Sequence, residues 1–174
     1  RLLAIPSRAR LGQAGVTWMR EDQQTIFEYE TQGTIYSVGA VDGEPTHFDG
    51  YVISGLNRVI VQHALQSAGL AGQSLQLVSG LPVRAFYRHD GQRRTAAIEN
   101  KRDNLKLAVR PFPRLGNQGP EPIAPASVVF HEVIPEALAA WYDYVILTSE
   151  EGVSLEADRV NAPIAIVDIG GRTT

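Results

Sequence analysis

Ser127-Val-Val-Phe-His-Glu-Val-Ile-Pro-Glu-Ala-Leu-Ala-Ala-Trp-Tyr-Asp-Tyr144 reads as a strand, Ser127-Val-Val-Phe130, and then a helix opened by Ile134-Pro135. Val128, Val129 and Phe130 suit a pleated, half-buried surface. Pro135 falls near the first helical position, where its missing N–H costs nothing, and Ala137 to Tyr144 continue the helix. Upstream, Leu75-Gln-Leu-Val predicts a short strand that Ser79-Gly80-Leu81-Pro82 breaks, and a polar helix is predicted over residues 95–109. Downstream, a polar surface loop carrying Glu150, Glu151, Gly152 and Glu156 leads to Ile164-Ala-Ile-Val, a continuous apolar run of the kind buried on both faces of a mixed or parallel sheet.

Further towards the start, two β-rich runs, 25–31 and 34–38, flank Gln32-Gly33 and predict a hairpin. From Ser54, a candidate N-cap, Leu56, Val59, Ile60, His63, Ala64 and Ala68 recur at the spacing of one helical stripe, and Gly69 stops the helix. Residues 1–20 and 40–53 carry glycines and prolines that break any long element, and Pro111, Pro113, Pro120, Pro122 and Pro125 mark an irregular connection. A hairpin followed by strand–helix alternation gives the class α/β with a mixed sheet and flanking helices.

The chain has 174 residues, 44% hydrophobic and 20% charged, the balance of a folded globular domain. Its net charge of −3 argues against coating nucleic acid or an anionic membrane by charge alone. No apolar run approaches the ~18 residues that span a bilayer, and no charged-then-apolar leader is visible. All sixteen basic residues except Lys101 and Lys106 are Arg. Arg84, Arg88, Arg93, Arg94, Lys101 and Arg102 form the nearest thing to a basic cluster, interrupted by Asp90, Glu99 and Asp103, and read as a solvated loop and helix face. The absence of Cys excludes disulfides, thiolate catalysis and Cys-ligated metals. His47, His63, His89 and His131 are scattered, with no pair at metal-ligand spacing, and His63 reads as a packed helix residue.

Chemistry concentrates at two places. In Ile164-Ala-Ile-Val-Asp-Ile-Gly-Gly-Arg-Thr-Thr174 an apolar strand delivers Asp168 and is followed by two glycines and two hydroxyls. Glycines let backbone N–H groups approach phosphoryl oxygens, Thr173 and Thr174 can add hydrogen bonds, and Asp168 can hold Mg²⁺. A tight turn after a strand is the plainer reading of the same residues. Glu132 also follows an apolar strand and precedes a helix, so both carboxylates are expected at one sheet edge, where ligands of open α/β sheets bind. Glu132 could orient or deprotonate a water there; the plainer alternative is an acid in a helix's first turn, favoured by the dipole.

With those residues in view, the chain resembles the plasmid-segregation actin-like ATPases of the ParM/StbA group, within the actin–Hsp70–sugar kinase superfamily. Four stretches match in order: Val61-Gln-His-Ala-Leu-Gln-Ser-Ala-Gly-Leu70, Val78-Ser-Gly-Leu-Pro-Val83 with Tyr87, Glu99-Asn-Lys-Arg-Asp-Asn-Leu105, and the span from Glu132-Val-Ile-Pro to Asp168-Ile-Gly-Gly171. The resemblance implies an actin-like (ribonuclease H-like) fold. It implies that Asp168, Gly170, Gly171 and Thr173, with Thr174 beside them, match the second phosphate loop, Asp168 positioning Mg²⁺. Glu132 matches the acid that activates the attacking water. It further implies a cytoplasmic protein that binds ATP or GTP with Mg²⁺, self-associates into filaments and works with a small DNA-binding adaptor on a plasmid centromere, itself binding neither DNA nor membrane. Residues 1–174 are then expected to be one actin-like N-terminal domain that lacks the first phosphate hairpin, is cut within the second phosphate loop, and is inactive alone. The stretch 144–161 is longer than the family's usual connection. Two other readings remain: a non-hydrolysing actin-like scaffold or nucleotide-sensing module, and another kinase of the same superfold.

Overall fold

The computed structural model describes residues 5–13, 26–39, 41–46, 48–112 and 124–166. The chain divides into two compact units, one of residues 1–77 and 100–131, the other of residues 78–99 and 132–174.

The first unit is built on an antiparallel sheet. Strands β1 (Ala9–Leu11), β2 (Ile26–Thr31), β3 (Thr34–Gly39) and β5 (Arg110–Pro111) lie in the order β1-β3-β2-β5, with β4 (Ser74–Leu81) elsewhere. Gln32 and Gly33 both take positive φ, 52° and 74°, the conformation of a tight two-residue hairpin turn matched to strand twist. That turn sets the register Thr31↔Thr34, Tyr29↔Tyr36 and Phe27↔Val38. Directly opposed residues share a face, so Phe27, Tyr29, Tyr36 and Val38 point together.

Helix α1 (Gly55–Ser67) covers that face. Ser54 caps it, its hydroxyl accepting from Asn57 N at 3.2 Å and donating to the Tyr51 carbonyl at 2.7 Å. Gly69, at φ +80°, ends it, with Gly69 N–H on the Gln66 carbonyl and Leu70 N–H on the Leu65 carbonyl. Leu56, Val59 and Ile60 pack with Ala9, Tyr29, Val38 and Val109 as one core cluster, flanked by Phe27, Tyr36 and Tyr51. The polar residues Arg58, Gln62 and His63 are buried as well, so α1 sinks deeper than its apolar stripe predicts.

Several sequence boundaries move. The helix predicted over residues 95–109 is α3 (Thr95–Asn104), and Pro111 lies in edge strand β5, paired with Tyr29. Pro is tolerated there because an edge N–H need not join the ladder. Strand β4 runs through Gly80 instead of breaking, followed by α2 (Val83–Phe86). A Cβ on Gly80 would lie 2.6 Å from Glu136 Cγ, so the glycine serves a close approach. Strand β6 (Ser127–Pro135) pairs with β4 and continues through Glu132 to Pro135, where α4 (Glu136–Val145) begins. The stretch expected as a loop is a β-hairpin, β7 (Ile146–Ser149) and β8 (Gly152–Leu155), followed by α5 (Ala157–Asn161). Residues 163–166 are not strand, and Ile164 and Ile166 are exposed, which corrects the doubly buried strand expected there.

Candidate functional site

Glu132 is the sequence-predicted site residue that the structure describes. It sits inside β6, where His131, Val133 and Pro135 are buried on one face and Glu132 and Ile134 are half-buried on the other. That placement corrects the reading of Glu132 as a first-turn helix acid, since the acid in the first turn of α4 is Glu136. Among the described residues the Glu132 carboxylate has no hydrogen-bond or ion-pair partner. A half-buried carboxylate left without a protein partner keeps its oxygens available for water or ligand, and a strand holds it more rigidly than a loop does.

Asp168, Gly170, Gly171, Thr173 and Thr174 lie outside the described residues, as does Val167. Among the described residues no three His, Asp or Glu converge as a metal site.

Two histidines of the first unit, His63 and His131, are buried. His131 is almost fully buried, and its Nδ1 faces the Arg102 carbonyl at 3.0 Å. A carbonyl only accepts, so Nδ1 carries the proton. Burial lowers the His131 pKa first, with Lys101, Lys106 and Arg102 adding to the fall and the Arg102 hydrogen bond opposing it. In α1, His63 lies against Phe27 at 4.8 Å between ring centroids, and its Nδ1 is 3.3 Å from the Tyr29 hydroxyl. Burial lowers the His63 pKa, and burial raises that of Tyr29, whose hydroxyl donates to Gln66 at 2.6 Å.

Both histidines therefore titrate below the unfolded value of 6.5. As pH falls through that value the unfolded chain binds protons before the folded one does, so stability is full above about pH 6.5 and declines below it. We expect the urea midpoint to fall between pH 7.5 and 5.5, and the drop to shrink in His63→Gln/His131→Gln. A midpoint that does not move would show that neither ring is held neutral.

Sequence reasoning missed a buried polar network. Arg58, 4% exposed, donates from Nε to the Asn104 carbonyl at 2.8 Å, from Nη2 to Asn104 Oδ1 at 2.5 Å, and from Nη1 to Thr31 Oγ1 at 2.5 Å. No carboxylate accompanies it among the described residues, and burial lowers its pKa. A lone Arg in an amphipathic helix gives no local sign that acceptors wait 27 and 46 residues away. The basic cluster read as a solvated face also divides: Arg84, Arg88, Arg93 and Arg94 are exposed, whereas Lys101 is buried.

No helix among the described residues is long and apolar enough to cross a membrane. No curated protein matches the chain. The crystal structure of Ta0583, an archaeal actin homologue, in its selenomethionine form, is 19% identical over 83% of this chain and 44% of its own, with a TM-score of 0.51. The native crystal structure of the same homologue is 14% identical over 83% of this chain and 43% of its own, at 0.47. This chain thus spans less than half of that homologue, and the likeness shows an actin-like fold. A family model described as "Plasmid segregation protein ParM, N-terminal" matches residues 16–145, well over half of the chain and every element from β2 to α4. The chain belongs to the ParM N-terminal family of plasmid segregation proteins.

Proposed function

We propose that this chain is one actin-like domain of a nucleotide-dependent, filament-forming protein that segregates plasmid DNA. The observation carrying the reading is the family match, which includes Glu132, half-buried on β6 and without a partner among the described residues. In this reading Glu132 accepts a hydrogen bond from the attacking water, fixes its direction and takes its proton as the water attacks. Asp168 would hold Mg²⁺, while Gly170 and Gly171 would offer backbone N–H groups and Thr173 and Thr174 hydroxyls to phosphate oxygens. Bound Mg²⁺ offsets charge on the phosphate oxygens. The nucleotide is ATP or GTP, the partners are further copies of the protein and a small DNA-binding adaptor on a plasmid centromere, and the compartment is the cytoplasm. A net charge of −3 fits contact with DNA through an adaptor better than direct contact.

The full-length protein is expected to hydrolyse ATP or GTP with Mg²⁺ and to sediment as polymer once nucleotide is added. Polymer without turnover would favour a non-hydrolysing scaffold. Turnover without polymer, tied to phosphorylation of a small hydroxyl compound, would favour a kinase of the same superfold. Neither turnover nor polymer would remove the segregation assignment.

A further inference from the structure

The second unit presents two exposed loops of opposite charge, each held by defined contacts. The basic one spans residues 87–94. Arg94 N–H donates to the Phe86 carbonyl at 2.8 Å, Arg88 N–H to the Gln92 carbonyl at 2.8 Å, and the Arg93 guanidinium lies 5.9 Å from the Phe86 ring centre. With Arg84 of α2, the loop displays Arg88, Arg93 and Arg94 to solvent. Its one acid, Asp90, accepts from Gln92 N at 3.0 Å. The acidic one is the β7–β8 hairpin, turning at Glu150-Glu151. Its base is fixed by Glu156 N–H on the Val145 carbonyl at 2.9 Å, and by Arg159, which pairs with Glu156 at 2.5 Å and lies 4.9 Å from the Tyr144 ring centre.

Arg94 Nε donates to the Tyr87 carbonyl at 3.0 Å, but the charge of neither loop is matched. Among the described residues no carboxylate pairs with the four arginines, and no cation meets Glu150 or Glu151. The register Ile146↔Leu155 and Thr148↔Val153 puts these four side chains on one face of the hairpin, where Val153 is 73% and Leu155 58% exposed. An uncovered apolar face leaves a two-stranded hairpin marginal in water, and a partner that covers this one stabilises it. A purely acidic partner would satisfy only the arginines, and a purely basic one only the hairpin. A second copy of the chain satisfies both, because each copy carries one of each.

We propose that the acidic tip and apolar face of the β7–β8 hairpin of one copy seat on the Arg84–Arg94 loop of the next. The contact joins two different surfaces, so a joined pair still carries a free hairpin and a free basic loop, and where its rotation does not close a ring it repeats into an open chain. This inference rests on the filament reading and names the contact that would build it.

Charge reversal in the full-length protein tests it, read by sedimentation with nucleotide. Glu150→Arg/Glu151→Arg and Arg84→Glu/Arg88→Glu should each raise the critical concentration about tenfold or more, since each sets like charges against each other. Far-UV circular dichroism and nucleotide binding by the unassembled protein should match the unsubstituted protein. An equimolar mixture of the two variants should assemble again, because the reversed loop of each now faces its complement on the other. Assembly of the unsubstituted protein should also weaken as salt rises through the range that screens surface charge. If the unsubstituted protein does not polymerise, the filament reading fails and takes this contact with it. If it polymerises and both variants do so equally well, the contact alone is overturned and the hairpin is covered by something else. Loss of assembly in both variants without rescue in the mixture overturns it too.

Discussion

Glu132→Gln in the full-length protein is expected to slow nucleotide hydrolysis by about a hundredfold or more while nucleotide binding is retained. The expectation follows from where the carboxylate sits. On β6 it is half-buried, its strand neighbours His131 and Val133 are packed on the opposite face, and no described residue engages its oxygens. A carboxylate placed to orient a water and take its proton loses both abilities on conversion to an amide, yet its shape and capacity to hydrogen bond remain. Glu132→Ala should give the same rate loss, and agreement between the two variants would separate chemistry from packing. Asp168→Ala supplies the contrast: a metal-holding residue should weaken nucleotide binding as well as turnover. A loss below threefold in both Glu132 variants would remove this residue from the mechanism, whatever the fate of Asp168.

What the sequence makes legible, and what it hides, divides by the range of the forces involved. The ends of α1 are readable because Ser54 and Gly69 act within one turn of themselves, and the β2–β3 hairpin is readable because Gln32-Gly33 adopts its turn locally. The end of α3 is not. Leu105, Leu107 and Val109 continue a helical pattern, but the Asn104 carbonyl accepts from Arg58, 46 residues away, and the chain turns out of the helix there. Gly80 looks like a strand breaker in isolation, and its reason is the passing side chain of Glu136. The β7–β8 hairpin is hidden because Glu150-Glu151 carries none of the Asn-Gly type signals that announce a tight turn. The order of motifs identified the actin-like family and nominated Glu132; that Glu132 lies within the strand depends on where Pro135 lets α4 begin.

Asn104→Leu should destabilise the first unit by about 3 kcal/mol, a large share of the 5–15 kcal/mol typical of a whole domain. Arg58 is held by Thr31 at the hairpin end, by Gln32 Oε1 at 3.3 Å and by Asn104 at the end of α3, so one guanidinium ties together three segments distant in sequence. Asn104 also donates from Nδ2 to the Ser54 carbonyl at 3.2 Å, which links the cap of α1 to the same network. Replacing its amide with an apolar group leaves a buried cation short of an acceptor, and hydrogen bonds to charged groups are worth about 1.5–3 kcal/mol each. Arg58→Met/Asn104→Leu should then cost less than the sum of the two single changes, because removing both partners leaves no orphaned charge. Urea unfolding gives the total, and amide exchange in α1 localises the loss to the first unit. A cost below about 1 kcal/mol for Asn104→Leu, or strict additivity in the pair, would mean that water reaches the guanidinium and that the network is not what holds α1 on its sheet.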